Sequence, residues 1–154
     1  MEKTLNVYQR VTKIRQAVAY IQKDKKVESY MAVTHDAVTA LTRDHFIEHG
    51  VVIVPVCIVQ SAVKDTGTMT SKGTPFIRFE ARYRFEVVNM DDPTDKFCIE
   101  IEAHALDHGD KAPGKALSYA KKYAVMKLLE IESGEEEEER PEQKAKPEAA
   151  PHKS

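Results

Sequence analysis

Val7, Val11, Ile14, Val18 and Ile21 recur at steps of four and three, so residues 4–23 are predicted to form an amphipathic helix with one apolar stripe. Its other faces carry Arg10, Lys13, Arg15 and Lys23, followed by Lys25 and Lys26. Such a face is expected to be solvated, with an anionic polymer or a membrane surface as the alternative partner. Tyr30–Val33 reads as a short extended piece. Thr34 is then placed to cap a second helix, His35–His49, which Gly50 closes.

The period changes after Gly50. Val51–Val63 is almost wholly apolar and β-branched, which predicts a strand covered on both faces. Asp65–Pro75, with Gly67 and Gly73 among Thr and Ser, reads as a long flexible hairpin loop. Phe76–Val88 alternates: Ile77, Phe79, Ala81, Tyr83, Phe85 and Val87 face one way, Arg78, Glu80, Arg82, Arg84 and Glu86 the other. Asn89–Asp95 reads as a turn. Lys96–Leu106 alternates again, with Phe97, Ile99, Ile101, Ala103 and Ala105 inward and Glu100, Glu102 and His104 outward. Three consecutive antiparallel strands, a meander, are the expected result. Across the last hairpin, Arg82 and Arg84 should lie near Glu100, Glu102 or His104.

Ala112–Leu129 is predicted to be the last helix, packing through Leu117, Ala120, Ala124 and Leu128. Val125, Met126 and Leu129 lie off that stripe, so a second buried contact is expected. The fold class is α+β: N-terminal helices, a three-stranded antiparallel meander, then a helix.

Composition refines this picture. A chain of 154 residues suits one domain. The formal charge is −2, but residues from Glu135 on hold 7 acids and 4 bases, leaving 18 acids and 19 bases in residues 1–134. That last stretch is low-complexity and unable to form a core, so it is expected to be a disordered acidic tail after a domain spanning residues 1–134. Cys57 and Cys98 sit in apolar or alternating runs and are expected to be buried, reduced thiols. The N-terminus lacks a signal-peptide pattern, and Val51–Val59 is too short to span a bilayer, so secretion and membrane insertion are not expected.

Candidate chemistry is sparse. Gly109–Lys115 has the P-loop spacing of two glycines and a lysine, but Ala116 stands where the magnesium-binding hydroxyl belongs, and no parallel strand follows. His104, Asp107, His108 and Asp110 concentrate possible metal ligands. His45 and His49 are four apart on a helix but lack the glutamate of a zinc-protease helix. A nucleotide- or metal-dependent enzyme using the Gly109–Lys115 loop or the His104/Asp107/His108/Asp110 cluster is therefore the alternative reading. No nucleophile elbow appears, and no catalytic set is assigned.

Basic groups are more informative. Lys111–Leu129 holds five lysines and no acid, and Lys115, Ser118 and Lys122 form a stripe opposite the apolar one, with Tyr119 alongside. Interleaved Lys, Ser and Tyr suit phosphate and sugar contacts, or stacking on an unpaired base, while Lys121 lies off that stripe, flanking the apolar one from the other side. Arg78, Arg82 and Arg84 add positive groups on the outer sheet face, partly neutralised by Glu100 and Glu102.

Three stretches together carry a resemblance: Tyr30–Ala40 (YMAVTHDAVTA), Ile47–Pro55 (IEHGVVIVP) and Gly109–Ala120 (GDKAPGKALSYA). The chain resembles the Erf family, the phage "essential recombination function" proteins, from about Asn6 to Gly134. The resemblance implies an ATP-independent protein of the bacterial cytoplasm that binds single-stranded DNA, pairs complementary strands and needs no cofactor. It also implies a β-β-β-α core shared with the eukaryotic radiation-repair annealing protein and assembly into rings or helical filaments, with a host single-strand-binding protein as a further partner. By motif, the lysine-containing helix that lines the DNA groove in that relative corresponds to Lys115–Leu129, and Lys122 is the residue carried over. The DNA-binding candidates are thus Lys111, Lys115, Lys121 and Lys122 on the helix, with Arg78, Arg82 and Arg84 on the sheet.

Overall fold

The computed structural model describes residues 4–24, 34–108 and 110–131. The chain there forms α1 (Val7–Asp24), α2 (His35–His49), β1 (Val51–Met69), β2 (Pro75–Asn89), β3 (Asp92–Asp107) and α3 (Ala112–Leu129). The expected extended piece Tyr30–Val33 and the acidic tail lie outside the described residues.

Helix α1 starts at Val7 because Asn6 caps it. Asn6 Oδ1 accepts from the Gln9 backbone N–H at 2.9 Å, and Gln9 Oε1 accepts from the Asn6 N–H at 2.8 Å, a reciprocal capping box. Val7, Val11, Ile14 and Val18 are buried, as their spacing requires. Arg10 departs from the expected solvated face. Lying three residues after Val7 and four before Ile14, it falls on the apolar stripe and is 8% exposed. Its guanidinium donates to the Leu5, His49 and Gly50 carbonyls and, at 2.8 Å, to the Asp91 carboxylate. Arg15 donates to the Leu128 carbonyl at 2.8 Å. Arg10 and Arg15 of the basic face therefore bond within the molecule, while Lys13 is exposed.

Helix α2 has the expected ends. Thr34 Oγ1 accepts from the Ala37 N–H at 3.0 Å, and Gly50 closes the helix at φ 70°. A Cβ on Gly50 would also push the end of the Arg10 side chain from its place, so a larger residue there is strained in backbone and disturbs Arg10 as well.

The sheet is the predicted antiparallel meander, in the order β1-β2-β3. On β2 the inward positions Ala81, Tyr83, Phe85 and Val87 are buried, and on β3 Ala103 and Ala105. Strand β1 corrects the reading in two ways. It continues through Met69, so the hairpin turn shrinks to residues 70–74, closed by the Thr70 N–H on the Thr74 carbonyl at 2.8 Å. It is also not covered on both faces. Val52, Val56, Ile58, Val59, Val63 and Met69 are all exposed. The register shifts between Pro55 and Cys57 and between Ile58 and Gln60 place Val56 and Val59 in bulges, so a continuous apolar run here marks a bent edge strand rather than a doubly covered one. The second turn likewise narrows to Met90–Asp91. Both cysteines are exposed, not buried: Cys57 faces Arg84 and Cys98 faces Glu86 on the outer side of the sheet.

Helix α3 lies on the inner face against β3 and β2. Its packing ridge is Ala112, Ala116, Ala120 and Ala124, all fully buried, while Leu117, expected in that stripe, is 37% exposed. Alanine every fourth residue lets the helix backbone approach Ala81, Ala103 and Ala105 closely, and a leucine would hold it off. The second contact of Val125, Met126 and Leu129 is present and internal. These residues share a core with Val7, Val11, Ile14 and Val18 of α1 and Val38 and Phe46 of α2. Among the described residues, no helix is long and apolar enough to cross a membrane.

Candidate nucleic-acid interface

The cations divide into two sets, one on each side of the sheet. On the outer face, alternation along β2 and β3 brings charged side chains into register: Arg82 lies opposite Glu102 and Arg84 opposite Glu100. Arg82 reaches Glu102 through Nε at 3.0 Å and also through Nη2, and Arg84 holds Glu100 at 3.2 and 3.1 Å. Each carboxylate keeps its guanidinium firmly protonated. Arg78 and then Lys64 hold the Glu80 carboxyl below the usual carboxylate range, and Lys96 pairs with Glu86 at 3.0 Å. Around Gln60, Arg78, Glu80, Arg82, Glu102 and His104 this face forms an open depression of about 460 Å³. Its charge is locally compensated. A phosphate arriving there must displace a carboxylate first.

The lysines of α3 are placed differently, with no acid on the helix itself. Lys111 is exposed at the N-cap position, and its side chain makes no capping bond. The Lys115 side chain is 47% exposed, with its Nζ 2.7 Å from Asp107 Oδ2. Asp107 ends β3 on the inner face, buried, and also accepts from the His108 N–H at 2.6 Å. Oδ2 makes no aligned hydrogen bond, so the contact with Lys115 is an ion pair held by proximity. The Lys115 ammonium, and then the His108 N–H, hold the Asp107 carboxyl below its ordinary value, while Asp107 pushes Lys115 up.

Lys121 is half-buried, and desolvation pushes its pKa down. Lys122, the residue carried over from the family pattern, is only 8% exposed. Its ammonium sits 4.8 Å from the Tyr123 ring centroid and 5.8 Å from that of Tyr119. Both rings are partly open to solvent, Tyr119 at 40% and Tyr123 at 38%. Lys115 and Lys122 therefore share a helix stripe but not an environment.

The alternative chemistries find little here. His104 and Asp107 are three apart on a strand and so point to opposite faces. His108 packs edge-on against Phe76, with ring centroids 5.6 Å apart. Among the described residues, no group of three or more His, Cys, Asp or Glu is placed to hold a metal ion. In the P-loop-like segment Gly109 lies outside the described residues, and Lys115 is turned to Asp107.

The sequence reading named Asp107 only as a possible metal ligand, not as the buried partner of Lys115, and did not single out Tyr123. Asp107 continues the inward series Phe97, Ile99, Ile101, Ala103, Ala105, so its burial was available from the alternation. Tyr123 follows Tyr119 by four residues, the spacing that puts both on one helix side.

A three-stranded meander followed by a lysine-bearing helix is the core that the sequence resemblance implies. The family model of the ERF superfamily matches residues 7–154. The chain belongs to the ERF superfamily. This family is one of phage single-strand annealing and recombination proteins, known for annealing rather than for enzymatic turnover. No solved structure and no curated protein sequence matches the chain. The ERF match reaches past the described residues and through the acidic tail.

Proposed function

We propose that this ERF-superfamily chain is an ATP-independent single-strand DNA binding and annealing protein that promotes homologous recombination in the cytoplasm of a bacterial host. One observation carries the reading: the family match over residues 7–154 falls on a β-β-β-α unit whose final helix region, from Lys111 to Leu129, bears five lysines and no acid. Annealing requires no bond making. It requires cations along an extended backbone, with base edges left open to a second strand.

Lys111, Lys115, Lys121 and Lys122 of the α3 region line the DNA site in this reading, with Lys111 and Lys115 the most open to phosphate. Arg78, Arg82 and Arg84 rank below them because Glu80, Glu102 and Glu100 already hold them. Residues 1–134 act as the annealing domain. The acidic tail, with its run Glu135–Glu139, is repelled by DNA and suits a contact with a host single-strand-binding protein.

A ring or helical filament of many copies completes the proposal. The apolar surface of α3 is used inside the subunit and does not support assembly. Strand β1 does: its outer edge has no strand partner among the described residues, and Ile58 and Val63 are 58% and 64% exposed. Assembly would cover that edge and multiply a weak site through effective concentration.

The test is a titration of one labelled single strand and of its duplex with the full chain. Preference for the single strand at equal salt is expected. Equal affinity for both, or none for either, rejects the reading.

A further inference from the structure

Lysines alone leave one requirement of the proposed function unmet. Phosphates are present on single strands and duplexes alike, so an ammonium cannot by itself choose between them. Only an unpaired strand offers the flat faces of its bases. A protein that selects single strands without reading sequence needs a surface for those faces.

We propose that Tyr119 and Tyr123 form a subsite on which unpaired nucleobases stack, and that Lys122 is its positioning residue rather than a phosphate ligand. The inference rests on the single-strand reading above and adds the part of the ligand that is recognised.

The two tyrosines are four residues apart on α3, about 6 Å along the axis. The two residues are 40% and 38% exposed, beside a buried alanine ridge and the buried Val125, Met126 and Leu129. Lys122 lies between them in sequence, 8% exposed, with its ammonium 4.8 Å and 5.8 Å from the Tyr123 and Tyr119 ring centroids. Both distances fall within cation–π range, so one charge is shared by the two rings and restrains their planes. A lysine in that position offers little of its ammonium to a passing phosphate.

The surroundings favour a base over an apolar protein surface. Lys115, four residues before Tyr119, lies on the same side of the helix as the rings, and no acid occurs between Lys111 and Leu129. A neighbouring cation suits a ligand carrying a phosphate beside a flat ring. Stacking also leaves the pairing edges of the bases free, which annealing demands.

The chain has six tyrosines and no tryptophan, so its intrinsic emission is tyrosine emission, and the part quenched by DNA that is lost with Tyr119 and Tyr123 reports stacking there. The test titrates the full-length parent, Tyr119→Leu/Tyr123→Leu, Tyr119→Phe/Tyr123→Phe and Lys122→Met with a thymidine oligonucleotide and with an abasic strand of the same length. The parent should prefer the base-bearing strand by roughly tenfold or more, with quenched tyrosine emission. The leucine variant should lose both the preference and the quenching while keeping the parent's dependence of affinity on salt. The phenylalanine variant should keep the preference, which separates a loss of stacking from a loss of folding. Lys122→Met should reduce the preference without flattening the salt dependence. A parent preference that survives in the leucine variant overturns the base subsite, as does a smaller assembly in that variant with unchanged DNA affinity. A flatter salt dependence in Lys122→Met overturns the positioning role. A parent that binds neither strand removes the single-strand reading itself, and this proposal with it.

Discussion

The Asp107 carboxylate lies 2.7 Å from the Lys115 ammonium and joins the last residue of β3 to the first turn of α3. Its position is the seventh step of an inward alternation that begins at Asp95 and passes through Phe97, Ile99, Ile101, Ala103 and Ala105. A charge reached the interior because a cation on the following helix met it there. The contact fixes how the lysine-bearing helix leaves the sheet, and it sets where Lys115 points.

That pair makes stability depend on acid. Asp107 is held below its ordinary value in the folded chain, so its contribution is present above its unfolded pKa, about 3.9, and is lost as pH falls through the lower folded value. Urea midpoints for the parent should therefore fall steeply below about pH 4. Asp107→Asn should lower the midpoint at pH 7 and flatten the acid limb. Parallel acid limbs in parent and variant would show that Asp107 and Lys115 do not stabilise the fold.

The alanine ridge of α3 gives a second expectation. Ala120→Leu forces new volume between helix and sheet where Ala120 is fully buried, and should cost about 1–3 kcal/mol of stability. Leu117→Ala removes a side chain that is already 37% exposed and should cost less. Chemical denaturation of the two variants ranks them. A larger loss from Leu117→Ala would mean that the helix packs through the stripe its sequence suggests.

That reversal marks where reading by pattern succeeds and where it stops. The helix bounds at Thr34, Gly50, Ala112 and Leu129 follow from caps and periodicity, and the Arg82–Glu102 and Arg84–Glu100 pairs follow from alternation and a short turn. Both are local rules. Strand β1 misled because apolar runs are written alike by a buried strand and by a bulged edge strand, and only the register with β2 separates them. Arg10 misled because its burial depends on Asp91 and Gly50, which are remote in sequence. At the candidate site the lysines were legible as a group. Their separate environments were not, since Asp107 and the paired tyrosines act through the folded geometry.

For the DNA track, Lys111 and Lys115 are the most exposed of the candidate helix cations. Replacing both by alanine should lower the slope of log affinity against log salt by about 0.7 for each single-strand phosphate that the protein no longer neutralises. Replacing Arg82 and Glu102 together by glutamine should leave the slope nearly unchanged, because that pair is compensated within the sheet. Affinity titrations at several salt concentrations read both. The opposite ranking would move the track to the outer sheet face.

The proposed assembly runs through the edge of β1. Ile58 and Val63 face the same side as the inward Tyr83 and Phe79 of β2, yet remain exposed at the rim. Light scattering should find the parent as an oligomer well above a dimer, and Ile58→Lys/Val63→Lys in smaller species. A monomeric parent at micromolar concentration with DNA present, or an unchanged assembly in the variant, contradicts β1 as the interface.

The central claim is annealing without nucleotide. The most direct measurement follows energy transfer between two complementary labelled oligonucleotides mixed with the full chain, with ATP absent and divalent metal chelated. The account predicts that duplex forms much faster than in the spontaneous reaction, at a rate indifferent to added ATP. Pairing no faster than the spontaneous rate, or acceleration that appears only when ATP or a divalent metal is restored, would contradict it.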